Sequence, residues 1–149
     1  MKKFHFPLDR VLDWRRTQIR MEQIKLEQML AELHRIEGQA AAAREERESA
    51  QRAVVQSSSS LGSDLLAFNS FRTASSARSG GLDRDRSACL ERIRAQRAVM
   101  SRKELDVRLL EKLREDRLRA WVQEQDREID QQAAEGHLGR WRNRENDGS

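Results

Sequence analysis

Proline, cysteine and tyrosine are nearly missing from this sequence, which contains one proline, one cysteine and no tyrosine. A lone cysteine cannot form an internal disulfide, and this favours a reducing compartment. No apolar run approaches the roughly 18 residues that a membrane span requires, and charges at Asp9, Arg10 and Asp13 interrupt any signal-peptide core. We therefore expect a soluble, cytoplasmic protein.

Aromatic residues are also scarce, at 5% of the chain, whereas charged residues make up 36%. Such a chain is too charged for a compact globule, yet its apolar residues are spaced too regularly for a disordered chain. Elongated helical packing is compatible with both observations, because each helix then buries only a narrow stripe.

The apolar residues that are present recur every seven positions. One register contains Leu12, Ile19, Leu26, Leu33, Ala40 and Val54, interrupted by Arg47, and a second contains Leu8, Met29, Ile36, Ala43 and Ala50. Together they form a stripe with the average period of 3.5 residues that winds two helices around each other. The pattern predicts an all-α fold, a long two-helix antiparallel coiled-coil hairpin that forms a single domain over the whole chain.

Local signals suggest where the two helices begin and end. Pro7 suits a first helical turn and the serine run at 57–60 disfavours helix, so the first helix is predicted over about 7–56. The second helix is predicted over about 86–135, with Gly136 as its C-cap and a frayed tail over about 136–149. Its seam is expected to contain Leu90, Ile93, Met100, Val107, Leu110, Leu113, Leu118 and Trp121.

Two helices of equal length would pair along their whole length in a hairpin. Residues near position 20 are then expected beside residues near position 120. The middle segment, about 57–85, is predicted to be irregular because of its serine clusters and Gly80–Gly81. Within it lies a short apolar cluster, which either closes the end of the hairpin or forms a docking knob for a partner: Leu65, Leu66, Phe68 and Phe71.

Residues that carry out chemistry are not grouped in any known pattern. The three histidines lie far apart in the sequence, and none has a cysteine at metal-ligand spacing. The many carboxylates are expected to face water on two straight helices, whereas general acid–base catalysis needs a desolvated cleft. The sequence therefore predicts a protein that is not an enzyme, with no catalytic residues, no metal and no cofactor.

The net charge of +4 raises the question of nucleic-acid binding. Such binding needs a basic face with interleaved stacking aromatics. Here acidic residues punctuate every basic run, so most charges are expected on solvated helix faces and no nucleic-acid partner is expected.

Some apolar side chains near the start of the first helix lie off the predicted seam. Trp14, Met21 and Ile24 follow each other at i, i+7 and i+10, with Arg15, Arg16 and Arg20 among them. Either this stripe binds a partner, or the far end of the second helix, with Val122 and Ile129, covers part of it. Trp121 is the expected aromatic anchor, in the seam or at an interface.

Two segments give the chain a family resemblance. Residues 4–16, FHFPLDRVLDWRR, resemble the F-x-F-x-L-x-x-V/L-L-x-x-R opening of the flagellar export protein FliJ family. Residues 107–121, VRLLEKLREDRLRAW, resemble a segment near the end of the same family. Because a heptad does not require the paired phenylalanines Phe4 and Phe6, the opening carries more weight.

The resemblance implies a role in the flagellar type III protein export apparatus. Members of this family are coiled-coil hairpins without an active site. They are thought to enter the central hole of the hexameric export ATPase, contact the cytoplasmic domain of the export gate membrane protein and recycle export chaperones. By this analogy the chain would be monomeric when free and peripherally associated with the inner membrane at the flagellar base.

By analogy with stalk subunits of rotary ATPases, the joined termini would enter the ring. The candidate partner-binding residues at this end are Phe4, Phe6, Trp14, Arg15, Arg16, Arg20, Met21, Ile24, Trp121, Val122 and Ile129. Two alternatives stay open at this point. One is a generic scaffolding coiled coil that forms stable homodimers, and the other is a basic coiled coil that binds nucleic acid with steep salt dependence.

Overall fold

The computed structural model describes residues 2–56 and 62–148, which form two long helices and no strand. Helix α1 spans Asp9–Gln56 and helix α2 spans Gly62–Asp147. The two helices pack against each other, so the predicted all-α helical hairpin is confirmed.

The start of α1 follows from local chemistry. Pro7 and Leu8 form a turn, in which the backbone N–H of Asp9 donates to the carbonyl of Phe6 at 3.1 Å. The carboxylate of Asp9 in the first turn complements the positive end of the helix dipole. The helix thus begins two residues after the predicted position 7 and ends at the predicted position 56, while the serine run at 57–60 lies outside the described residues.

The predicted bounds of α2 were wrong at both ends, since the helix begins at Gly62 and continues to Asp147. Residues 62–85, expected to be irregular, are helical through Gly80 and Gly81. Leu82 is buried beside them in a core with Ala43 of α1, and such packing overrides a weak local preference. Gly136 lies inside the helix and is not a C-cap, because no described glycine has a positive φ.

The helices also differ in length, with 48 residues in α1 and 86 in α2. This inequality shifts the pairing. The side chain of Gln96 donates to the backbone carbonyl of Glu22 at 3.0 Å, so residues near position 20 do not lie beside residues near 120 as predicted. Because α2 begins well before position 86, residues of α1 lie beside α2 residues with lower numbers than the equal-length hairpin predicted.

The chain divides into two compact units. The terminal unit consists of Met1–Thr17 and Lys103–Ser149, and the central unit consists of Gln18–Arg102. In the central unit the helices run antiparallel, as ion pairs at increasing positions of α1 meet decreasing positions of α2: Glu32–Arg92, Glu37–Arg86 and Glu46–Arg78. Its core consists of Ile36, Ala43, Leu82, Cys89 and Ile93.

The heptad pattern identified the seam of α1 correctly, because every residue of its two apolar registers is buried or half-buried. On α2, Leu90 and Leu113 were predicted to lie in the seam but are each 37% exposed. Cys89 takes the place expected for Leu90, and its thiol lies 3.5 Å from the carbonyl oxygen of Met29.

The short apolar cluster that the sequence placed in the irregular middle segment lies in the first part of α2, and its members differ in burial. Phe68 and Phe71 are half-buried, as expected of residues that close the end of a seam, whereas Leu65 and Leu66 are exposed.

Candidate partner-binding surface

The N-terminal segment before α1 is anchored in the terminal unit by aromatic side chains. Phe6 is only 1% exposed, and Leu12 and Val107 of the same unit are also buried. The ring centroid of Phe4 lies 6.0 Å from that of Trp121, with the ring planes inclined by 57°. A tilted pair at this distance is a favourable aromatic geometry, so this contact connects the first residues of the chain to α2.

Ion pairs fix the orientation of the same elements. The Nε of Arg114 lies 3.1 Å from a carboxylate oxygen of Asp9, and its guanidinium carbon lies 5.7 Å from the ring centroid of Phe4. Arg16 donates to Glu111 at 3.0 Å. Each exposed pair contributes at most about 1 kcal/mol, so these pairs determine alignment more than stability. Arg15 also pairs with Asp106, at 3.6 Å.

Trp14 lies on the outer side of α1 in the terminal unit, and 55% of its surface is exposed. The guanidinium carbon of Arg15 lies 5.4 Å from the indole centroid, within the range of a cation–π contact. Val11 is exposed close by on the same helix. An exposed indole beside arginine is the composition found at binding hot spots.

Within the central unit, Met21 and Ile24 are likewise exposed by 56% and 54%. Trp14 in the terminal unit and Met21 and Ile24 in the central unit are thus all exposed, and in neither unit does α2 bury them. The interpretation of these residues as partner-binding remains a prediction. Arg20 is exposed and makes an interaction within the protein.

The remaining predicted binding residues fall into two groups. Trp121 is half-buried against Phe4, and Val122 and Ile129 are exposed on α2 beyond it. Phe6 is enclosed in the core of the terminal unit, so it is a structural residue and its side chain is not accessible to a partner.

Sequence reasoning missed a buried polar pair in the central unit. Glu22 is only 8% exposed, and Gln96 donates to its carboxylate at 2.5 Å. The signal was present, because position 22 belongs to the register of Leu8 and Met29, where the apolar pattern has a gap. A polar residue at a seam position favours one alignment of the helices over its alternatives.

The apolar residues of the outer face of α2 were also missed. Leu105 and Leu109 in the terminal unit are each more than half exposed. They lie four residues apart and therefore share a face. The sequence contained the information to find them, because Leu105 and Leu109, like Trp14, are apolar residues at heptad positions outside the seam.

Among residues 2–56 and 62–148, no group of three or more histidine, cysteine or acidic side chains is arranged to hold a metal ion. No helix in these residues is both long enough and apolar enough to span a membrane. In the comparisons with known proteins, no family model matches the chain, and neither a curated protein nor a solved structure matches it significantly.

Proposed function

We propose that this chain is a FliJ-like component of the flagellar type III protein export apparatus. In this role a non-enzymatic coiled-coil hairpin engages the hexameric export ATPase and the cytoplasmic domain of the export gate membrane protein, and helps to escort export chaperones. It would act in the cytoplasm, peripherally associated with the inner membrane at the flagellar base, as a monomer when free.

The observation that best supports this proposal is the contact between the two segments that resemble the family. Residues 4–16 and 107–121 are far apart in the sequence, yet Phe4 lies against Trp121 and Asp9 pairs with Arg114. The paired phenylalanines that the heptad does not explain have a structural use here, because Phe6 is buried and Phe4 contacts Trp121.

The exposed side chains around Trp14 suggest how a partner would bind. The surface offers an indole and the exposed side chain of Val11 for desolvated contact, whereas Arg15 and Arg16 already pair with carboxylates of α2. Several basic side chains of the terminal unit make no ion pair with any described residue: Lys2, Lys3, Arg10, Arg108, Lys112 and Arg117. A partner with acidic groups around an apolar groove would complement them.

The test is capture of the export ATPase by the full chain at physiological salt, together with the effect on ATP hydrolysis. We expect the ATPase to bind and its activity to rise. A Val11→Ala, Trp14→Ala double variant, which changes two exposed residues of the terminal unit, should bind at least about tenfold more weakly, a loss of about 1.4 kcal/mol, with unchanged helix content. The matched control is Val55→Ala, which also shortens an exposed apolar residue of α1 but lies at its other end.

Two results would overturn the proposal or its site. If the correctly folded chain captures no ATPase, the export role is abandoned. If the double variant binds as tightly as the unmodified chain, the two replaced side chains are not part of the binding site. A salt-resistant homodimer without an ATPase partner would instead favour the scaffolding coiled coil, for which the exposed Leu105 and Leu109 provide a suitable surface.

A further inference from the structure

The last part of α2 is uncovered on all sides. We define the tail as residues 122–147, all within the terminal unit, where only Gln125 is partly shielded. Its large apolar side chains are among the most exposed of the chain, with Ile129 at 52%, Leu138 at 62% and Trp141 at 60%. A single helix without tertiary contacts is marginally stable in water, and exposed apolar residues at helical spacing invite a second surface.

Charges over residues 122–144 of the tail are segregated by sign, and Glu145 and Asp147 follow as acidic residues. Residues 122–135 contain five acidic residues and one arginine, whereas residues 136–144 contain three arginines and no acidic residue. No ion pair among the described residues involves any of these side chains, and Arg140 donates instead to the backbone carbonyl of Gly136 at 3.2 Å. Among the described residues, the acidic half and the basic half therefore both lack an ion-pair partner.

The large apolar residues in the second half of the tail share one face of the helix with Ala134 and Arg127 of its first half. Ala134, Leu138 and Trp141 follow at i, i+4 and i+7, and Arg127 precedes Ala134 by seven. These four positions lie on one side of a helix. Ala134 is small, so a second helix could approach closely at this point.

An antiparallel copy of the same helix complements this arrangement. Suppose that Ala134 of one copy lies opposite Ala134 of the other. A residue that precedes Ala134 by a given number of positions then lies beside the residue that follows Ala134 of the other copy by the same number. Arg127 then faces Trp141, as in a cation–π contact, and the acidic side chains of the first half come alongside Arg140, Arg142 and Arg144. In a parallel pair, acidic residues would face acidic residues and arginines would face arginines.

We propose that the tail pairs antiparallel with the tail of a second copy of this chain, centred on Ala134. Such a contact uses the same surface on both copies and closes after two, as twofold symmetry requires. The ion pairs are exposed, so the association is weak and decreases as salt rises. This inference does not depend on the export role, and it changes the expected free monomer to a reversible dimer at low salt.

The first experiment is analytical ultracentrifugation of the full chain over a wide concentration range at low and at high salt. We expect a monomer–dimer equilibrium whose dissociation constant rises about tenfold or more at high salt. A chain that stays monomeric at every concentration in low salt would overturn the proposal.

The second experiment exchanges the charges. One variant carries Arg140→Glu, Arg142→Glu and Arg144→Glu, and the other carries Glu124→Arg, Asp126→Arg and Glu128→Arg. Each variant alone should lose self-association, and an equimolar mixture of the two should form a heterodimer. Circular dichroism checks that both remain helical. If either variant alone dimerises like the unmodified chain, the tail is not the contact.

Cysteine crosslinking tests the direction of the pair. The natural Cys89 is 0% exposed and should not interfere. An antiparallel pair brings the two copies of Ala134 together, so Ala134→Cys should form an intermolecular disulfide under mild oxidation. The matched control is Asp147→Cys, because these positions lie at opposite ends of an antiparallel pair and should crosslink at least about tenfold less. Equal crosslinking of the two variants would exclude the antiparallel arrangement.

Discussion

Two stretches of α2 in the terminal unit have similar charged sequences but different surroundings. In residues 103–121, Val107 is buried and Trp121 lies against Phe4. In the tail, Leu138 and Trp141 are spaced as regularly but remain exposed. The comparison shows that helical conformation and burial are separate properties: the first stretch is covered by the N-terminal segment and α1, and the tail is not.

The strongest way to test this contrast is to remove one aromatic ring from each environment. Phe6→Ala should lower the free energy of unfolding by about 3 kcal/mol, because it removes contacts and leaves a cavity. Trp141→Ala should change it by less than about 0.5 kcal/mol, since an exposed side chain loses little on truncation. Urea unfolding followed by circular dichroism, at a concentration where the chain is monomeric, measures both. Equal losses would show that the tail is packed in solution.

A second test compares an arginine of each stretch. Arg114→Ala removes both the ion pair with Asp9 and the contact with the ring of Phe4. We expect the free energy of unfolding to fall by about 1 kcal/mol. Arg142→Ala, in the tail, should leave it unchanged within error. An unaffected Arg114→Ala variant would mean that the aromatic contacts of Phe4 and Phe6 hold the N-terminal segment without Arg114.

The smallest expected effect concerns glycines within the helices. A methyl group at Gly38 or Gly139 would meet no atom within 4 Å, so alanine should favour helix by up to about 1 kcal/mol at either position. Gly38→Ala, in a paired helix, should raise the midpoint of global unfolding. Gly139→Ala should leave that midpoint unchanged and only slow amide hydrogen exchange in the tail. A higher global midpoint for Gly139→Ala would contradict the separation between the two regions.

Much of the seam was predictable because burial in a long helix follows a short period. The heptad correctly identified Leu12, Ile36 and Ala43 as buried, and it also placed Trp14, Met21 and Ile24 outside the seam. Both results need only the spacing of apolar residues along one helix. The same reasoning overlooked Glu22, because a search for apolar positions treats a charged residue in the register as a gap.

The contact between Phe4 and Trp121 could not be predicted from the spacing of apolar residues along one helix. Both residues were predicted to bind a partner, but their contact with each other joins the first residues of the chain to a part of α2 more than a hundred positions away. Local spacing carries no information about such a pairing. The start of α2 was misplaced for a related reason, since Gly80 and Gly81 disfavour helix locally and the burial of Leu82 against α1 supplies the compensating energy.

The amino-acid sequence by itself determined that this chain forms helices and which stripe of α1 is buried, because both depend on interactions within a few turns. It also determined which large side chains stay off that stripe. Only the tertiary structure decided where α2 begins, which residues of the two helices lie opposite each other and which part of α2 remains uncovered. These depend on contacts between residues distant in the sequence, such as Gln96 with Glu22, whose energies no local pattern records.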